Sequence, residues 1–256
     1  MTSVLELHVL LVGVRFVPLT GAGGAVESVP ITAALARTLN GTILFDTGVD
    51  PRHVNDPVRR AVMFEARGND APAPMVEPGR DLAAQLQRLG LAPGDVDQVI
   101  LSHLHAEATG ALKSLCAATV ALQRAEYDAA FAPGGPPDTR YLPLDYDLPP
   151  ARFDLVDGDR VMDEGVTVVA TPGHTRGHQS LIVEVGGAGP VLLVGGAGTS
   201  AAGIAAGTLP PCVDETAAAR SLRRIDTLGW ELGATVVAGE DPALLTALAR
   251  GPLSFA

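Results

Sequence analysis

The stretch LSHLHAEATG, residues 101–110, follows the short apolar run Val99–Leu101. The run predicts a buried strand, and side chains two positions apart at a strand end lie on the same side. His103 and His105 therefore present two imidazoles together, and Glu107 adds a carboxylate nearby. The stretch predicts a polar site at the mouth of a strand.

A third histidine comes from a second segment, TPGHTRGHQSL, residues 171–181. Gly173 precedes His174 and allows the backbone to turn sharply there. Three imidazoles with an open fourth position are the ligand set of a catalytic zinc site. Any one histidine alone is more simply a polar loop residue, but the three together favour a metal site. His178 is interpreted as a hydrogen-bonded support residue, whereas His8 and His53 have no partner that the sequence can identify.

Composition limits the classes of partner. The chain has 256 residues, enough for a sizeable core, and we expect one domain over residues 1–256. The formal net charge is −11 without a basic cluster, which disfavours nucleic acid and anionic membranes as partners. The N-terminal segment has neither a basic region nor a signal cleavage site, and no apolar run has transmembrane length. We expect a cytoplasmic protein in which Cys116 and Cys212 are free thiols.

The order of predicted elements indicates an α/β fold. Strand-like segments fill the first third, with a hairpin at Asn40–Gly41, and a helix is predicted over residues 81–90. A Pro- and Gly-rich loop is predicted over 131–150, followed by strands, a helix over 214–229, a strand over 234–240 and a closing helix. Two strand-rich halves predict two packed sheets with helices outside.

Several segments together resemble the metallo-β-lactamase-fold superfamily, and within it the N-acyl-homoserine lactonases. They are ILFDTG (43–48), LSHLHAEA (101–108), QRAEYDAA (123–130), TPGHTRGHQSL (171–181), LLVGGAG (192–198) and VVAGEDP (236–242). The resemblance spans almost the whole chain. It implies a four-layer αββα sandwich of the metallo-β-lactamase fold.

The resemblance also implies which residues form the site. One metal position of the family pattern is complete here, with His103, His105 and His174 as ligands. The second departs from the pattern: Glu107 replaces an aspartate, Ala108 and Glu240 replace histidines, and Gly196 replaces the carboxylate that bridges two metals. A dinuclear centre needs that bridge, so the sequence disfavours dinuclear zinc. Thr199 stands where the lactonases carry a tyrosine that holds the substrate carbonyl. Asp46 corresponds to a residue that supports the metal floor.

Three functions remain open from the sequence. The first is a hydrolase with one zinc or iron ion at the three-histidine site, acting on an ester or lactone of a small organic molecule. In it Glu107 and Glu240 are the candidate catalytic carboxylates, as acid–base groups or as extra oxygen ligands. The second is a metal-free enzyme recruited to a dehydration, cyclisation or rearrangement in specialised metabolism. The third is a ligand-binding pseudo-lactonase without turnover, because a fold does not fix function.

The expected partner is a small-molecule substrate in an apolar cleft. Its walls are predicted from residues 60–78 and 131–150, with Met63, Phe64, Met75, Tyr141 and Tyr146 as candidates beside Thr199. The sequence leaves the substrate and the oligomeric state open, a homodimer included.

Overall fold

The computed structural model describes residues 2–19, 25–65, 72–136 and 138–256. Its strands are β1 (Val4–Pro18), β2 (Val26–Thr38), β3 (Gly41–Phe45), β4 (Gln98–Ile100), β5 (Thr119–Gln123), β6 (Phe153–Val156), β7 (Arg160–Asp163), β8 (Val166–Ala170), β9 (Gln179–Val185), β10 (Gly189–Leu193), β11 (Thr235–Val237) and β12 (Leu253–Phe255).

Nine α-helices connect or cover these strands within the described residues. They are α1 (Pro51–Asn55), α2 (Pro57–Met63), α3 (Leu82–Arg88), α4 (Ala106–Thr109), α5 (Arg124–Ala130), α6 (Pro143–Tyr146), α7 (Ala201–Ala205), α8 (Glu215–Leu232) and α9 (Pro242–Arg250). Among the described residues, no helix is long and apolar enough to cross a membrane.

The strands form two mixed sheets. The larger has seven strands in the order β12-β1-β2-β3-β4-β5-β6, and the smaller has five in the order β11-β10-β9-β8-β7. In the larger sheet β3, β4, β5 and β6 are parallel neighbours, while β1, β2 and β3 pair antiparallel. In the smaller sheet β10 and β11 pair parallel.

The apolar residues of β1 show why the fold has layers. Val9 and Leu11 pack between the two sheets with residues of β8 and β9. Leu10 and Val12 point the other way and pack beneath α3. Both faces of the strand are therefore buried, as expected of a sheet covered on both sides. On the outer face of the smaller sheet, Ile182 packs against residues of α8. The predicted αββα sandwich of the metallo-β-lactamase fold is confirmed.

Two details differ from the sequence expectation. The helix α9 does not close the chain, because β12 follows it and pairs antiparallel with β1 at the sheet edge. The segment 131–150 is not all loop, since it contains α6 and a 3-10 turn over Pro150–Arg152. Part of the predicted pocket wall, residues 66–71 and 137, lies outside the described residues.

The strand order brings the polar segments to one edge. His103 follows β4, Glu126 lies just after β5, His174 follows β8, Gly196 follows β10 and Glu240 follows β11. These strands run in the same direction within their sheets, so their carboxyl ends meet at one edge of the sandwich. The carboxyl ends of parallel strands are the usual location of ligand sites in α/β sheets.

Candidate metal and substrate site

Three histidines meet at this edge. His103 and His105 follow a strand of the larger sheet, and His174 follows a strand of the smaller one. The ligand atoms of His103, His105, Glu107 and His174 all lie within 4.8 Å of one another. The His105 Nδ1 and His174 Nε2 atoms are 3.2 Å apart, and Glu107 Oε1 lies 3.4 Å from His103 Nε2. The three predicted histidine ligands therefore converge in the structure.

The hydrogen-bond partners of the outward-facing nitrogens fix the tautomers of His174 and His103. His174 Nδ1 lies 2.7 Å from the carbonyl oxygen of Pro211, which can only accept, so this nitrogen carries the proton. The Ser102 hydroxyl donates to Asp46 at 2.7 Å and therefore accepts from His103 Nδ1 at 2.8 Å. Both Nε2 atoms are left with a lone pair that points into the cluster.

The ring of His105 also directs one nitrogen, Nδ1, into the cluster and the other, Nε2, away from it. Its Nε2 is buried and lies 3.6 Å from the Asp138 carboxylate, slightly beyond a hydrogen bond. A proton on Nε2 leaves the lone pair of Nδ1 directed at His174 Nε2. Two lone pairs 3.2 Å apart repel each other unless a proton or a metal cation lies between them. Outer oxygen partners that orient inward lone pairs are typical of histidines that bind metal.

Burial and neighbouring charge set the protonation of the rings. Burial, together with the charge of His105, lowers the pKa of His103, and burial with the nearby histidines lowers the pKa of His174 well below its usual value. Burial also opposes a charge on His105, but its contacts with Asp138 and Glu107 outweigh this and raise its pKa. His103 and His174 are therefore held in the neutral form that coordinates metal.

Glu107 connects the cluster with a cleft. Despite the penalty of burial, hydrogen bonding with His103 and His105 holds the pKa of Glu107 well below its usual value, so it is a carboxylate. It lines a cleft of about 500 Å³. The apolar wall of this cleft includes Ile31, Val49, Met63, Phe64 and Leu142. Of the predicted pocket residues, Met63 and Phe64 are found in this wall.

The positions that depart from the family pattern lie together. Glu107, Ala108, Gly196 and Glu240 line one small cavity of about 30 Å³ with Asp46 and His103. A Cβ added to Gly196 would lie 2.9 Å from His174 Cδ2 and 3.0 Å from its Nε2. The imidazole of His174 therefore fills the space that a side chain at position 196 would need.

Asp46 and His178 support the cluster from behind. Asp46 accepts hydrogen bonds at 2.7 Å from both the backbone N–H and the hydroxyl of Ser102, and so reaches His103 through that serine. It is also the one described non-glycine residue with positive φ, 58°. Burial raises the pKa of Asp46 to about 7 against these hydrogen bonds. The buried ring of His178 bonds to Thr171 at 2.9 Å and lies 5.4 Å from the His103 ring.

Glu126 is a residue that the sequence analysis did not single out. Its buried carboxylate accepts from the backbone N–H of Leu104 at 3.0 Å, the Tyr141 hydroxyl at 2.9 Å and the backbone N–H of Gly177 at 3.0 Å. Leu104 lies between two site histidines, and Gly177 lies between His174 and His178. The carboxylate thus joins both histidine loops. The sequence signal that could have indicated this role is a glutamate among alanines at the start of α5.

The structure does not place three of the predicted pocket residues on the wall of this cleft. Tyr141 and Tyr146 are buried and pack in the core beneath the larger sheet, not on the cleft wall. The Tyr141 ring contacts the His105 ring edge-on, with centroids 4.7 Å apart, so it supports a ligand ring instead. Thr199 lies just before the N-cap of α7 and is not among the residues that line the cleft.

His53, for which the sequence identifies no partner, has two buried acidic partners in the structure. Its Nε2 lies 2.8 Å from Asp145 and 3.8 Å from Asp50, and all three side chains are buried. Asp50 also caps α1 and pairs with Arg52. This cluster ties α1 to α6 beside the cleft. His8 likewise has a partner, because its Nδ1 lies 2.8 Å from the Ser254 hydroxyl of β12.

Comparisons with known proteins agree with this fold. A model of the metallo-β-lactamase superfamily matches residues 60–229. The N-acyl homoserine lactonase AttM of Azorhizobium caulinodans is 30% identical, over 93% of this chain and 92% of its own. AttM of Agrobacterium fabrum is 32% identical over 72% of each chain. A solved structure of an N-acyl homoserine lactone hydrolase, with the product N-hexanoyl-L-homoserine at its catalytic metal centre, superposes with a TM-score of 0.84. It is 25% identical, over 96% of this chain and 97% of its own.

The chain belongs to the metallo-β-lactamase superfamily. Its similarity to lactonases along nearly its whole length makes it a lactonase-like hydrolase of that superfamily.

Proposed function

We propose that this chain hydrolyses a lactone or related ester at a centre with one metal ion, held by His103, His105 and His174. The observation that supports this proposal most strongly is the approach of His105 Nδ1 to His174 Nε2, which are 3.2 Å apart in the cluster. With His103 Nε2 beside them, these atoms form a three-nitrogen donor set that fits zinc or iron. When bound, such an ion acts as a Lewis acid and lowers the pKa of water to about 7.

Glu107 is the proposed proton-transfer group. It is the member of the cluster that also lines the cleft, and its lowered pKa keeps it in the basic form. In the hydrolysis, the oxygen of water adds to the carbonyl carbon and the ring C–O bond breaks. The Glu107 carboxylate accepts the proton of the attacking water and returns it to the leaving alkoxide oxygen. The apolar wall with Met63 and Phe64 suits an acyl chain.

Metal loading tests this function. Protein stripped by a chelator is expected to take up one equivalent of zinc or iron, measured by plasma mass spectrometry. The same equivalent is expected to restore hydrolysis of a panel containing N-hexanoyl-homoserine lactone, a simple δ-lactone and a 4-nitrophenyl ester. Two tightly bound equivalents would contradict the single-ion centre. Turnover that survives chelation would favour the metal-free acid–base alternative, and ligand affinity without turnover would favour a binding protein.

Gly196→Ala tests the packing of the donor set. The added methyl would lie 2.9 Å from His174 Cδ2, so the ring must move. A displacement of about 1 Å can cost 10²-fold in rate, and we expect kcat/KM to fall by about that factor with weaker metal binding. Gly94→Ala is the matched control, because a Cβ there meets nothing within 4 Å. Wild-type metal affinity and turnover in Gly196→Ala would show that the site does not depend on this close approach.

A further inference from the structure

An arginine lies beside the residues that stand at the second metal position of the family pattern. The guanidinium Nη2 of Arg15, near the end of β1, donates to the Glu240 carboxylate that follows β11. The exposed fraction of the Arg15 side chain is 28%, and that of Glu240 is 16%. The pair is therefore mostly shielded from water, where attraction between opposite charges is stronger than at an exposed surface.

The small cavity does not fit a second metal ion. The two oxygens of Asp46 accept from Ser102, and Glu240 is paired with Arg15. Glu107 lies against the histidine nitrogens, while Ala108 and Gly196 carry no donor atom. The described residues that line the cavity therefore offer no uncommitted nitrogen ligand and no bridging carboxylate, which a two-metal site requires.

Arg15 supplies positive charge to the same corner. Burial opposes its charge, but Glu240 and Glu107 both favour it and raise the pKa of Arg15. Two carboxylates thus face one permanent cation. A guanidinium remains protonated throughout the accessible pH range. Arg15 therefore provides a positive charge at this position without a bound metal.

The same arginine borders the cleft. Arg15 and Glu107 both line the 500 Å³ cavity in which the substrate is proposed to bind. A guanidinium has five N–H donors. Glu240 engages Nη2, and among the described residues the buried Nε has no hydrogen-bond partner. Glu240 therefore holds the guanidinium on one side, while other N–H groups of Arg15 remain available to a ligand.

We propose that Arg15, oriented by Glu240, takes the place of a second metal ion and binds the carbonyl oxygen of the substrate and the carboxylate of the product. This inference rests on the proposed ester or lactone hydrolysis. Arg15 is the oxygen-binding residue, and Glu240 is a positioning residue, which changes its predicted role as a catalytic carboxylate. A planar guanidinium is well matched to a carboxylate in a bidentate geometry.

Kinetics of Arg15→Gln test the proposal. Loss of one preorganised donor to a developing oxyanion typically costs 10²–10³ in rate, so kcat/KM is expected to fall by about that factor while one equivalent of metal is retained. Arg15→Lys is expected to recover part of the loss, since it keeps the charge but not the fork. Glu240→Gln is expected to lose about tenfold, as for other orienting partners. The control Arg220→Gln changes an exposed arginine of α8.

Binding of the product class separates this proposal from the hydrolytic one. N-hexanoyl-L-homoserine is titrated by calorimetry into metal-loaded wild type and Arg15→Gln, which requires no turnover. Binding that is at least about tenfold weaker in the variant supports the role of Arg15 even if no lactone is hydrolysed. Equal binding by both proteins, or no binding by wild type, overturns it. Loss of metal from Arg15→Gln would also overturn it, because the arginine would then be structural.

Discussion

His174→Ala is expected to lose the proposed metal ion and, with it, lactone or ester hydrolysis. The variant removes one of three proposed nitrogen ligands and leaves His105 Nδ1 without the ring 3.2 Å away. Outer partners of a metal ligand alone contribute 10- to 100-fold, so a lost ligand is expected to weaken metal affinity by more than about 100-fold. Metal content after desalting and kcat/KM at saturating zinc are the two measurements.

The control for this variant is His8→Ala. His8 lies on β1, is far from the cluster in sequence, and bonds to Ser254 of β12, the edge strand of the larger sheet. It should keep the full metal equivalent and wild-type turnover. A His174→Ala protein that retains one equivalent of metal would show that the ion is held elsewhere.

Glu126→Gln is expected to destabilise the protein although it changes only one atom of the side chain. The two oxygens of the carboxylate accept three hydrogen bonds. An amide has one oxygen, so its NH₂ must face a donor such as the N–H of Gly177. A buried unsatisfied donor costs about 1–3 kcal/mol, and lost hydrogen bonds to a charged group about 1.5–3 kcal/mol each.

Thermal unfolding measures this effect. A loss of about 2–4 kcal/mol corresponds to a fall in Tm of roughly 5–15 °C for a domain of this size. Because Glu126 holds both histidine loops, metal affinity should fall along with Tm. Glu231→Gln, at an exposed position of α8, should stay within about 0.5 kcal/mol of wild type. An unchanged Tm in Glu126→Gln would mean that the three hydrogen bonds are not maintained in solution.

The sequence predicted those features that depend on local pattern. The alternation in β1, the turn at Asn40–Gly41 and the helical spacing in α3 are visible within short windows, and together they led to the correct layers. The His-X-His spacing placed two imidazoles together because strand geometry fixes their direction. The third histidine was found through its own glycine turn, and Gly173 does adopt a φ of 135°.

The features that were missed depend on contacts between distant segments. Arg15 meets Glu240 across 225 residues, and Glu126 meets Gly177 across 51. The periodicity of a sequence does not indicate contacts between residues so far apart in the chain. Tyr141 was misassigned because aromatic residues in a Pro-rich segment can face a cleft or the core equally well. Its hydroxyl can be buried here because it donates a hydrogen bond to the Glu126 carboxylate.

The two sheets each contribute part of the donor set, and this has a mechanical consequence. His105 follows a strand of the larger sheet and His174 a strand of the smaller one, 69 residues apart in the chain. An ion held between them would act as a reversible staple across the sandwich, because metal binding energy becomes folding energy when the ligands come from separate segments. Loading would then tighten both halves at their shared open end and stripping would loosen them, so hydrogen exchange should change along β4 and β8 together.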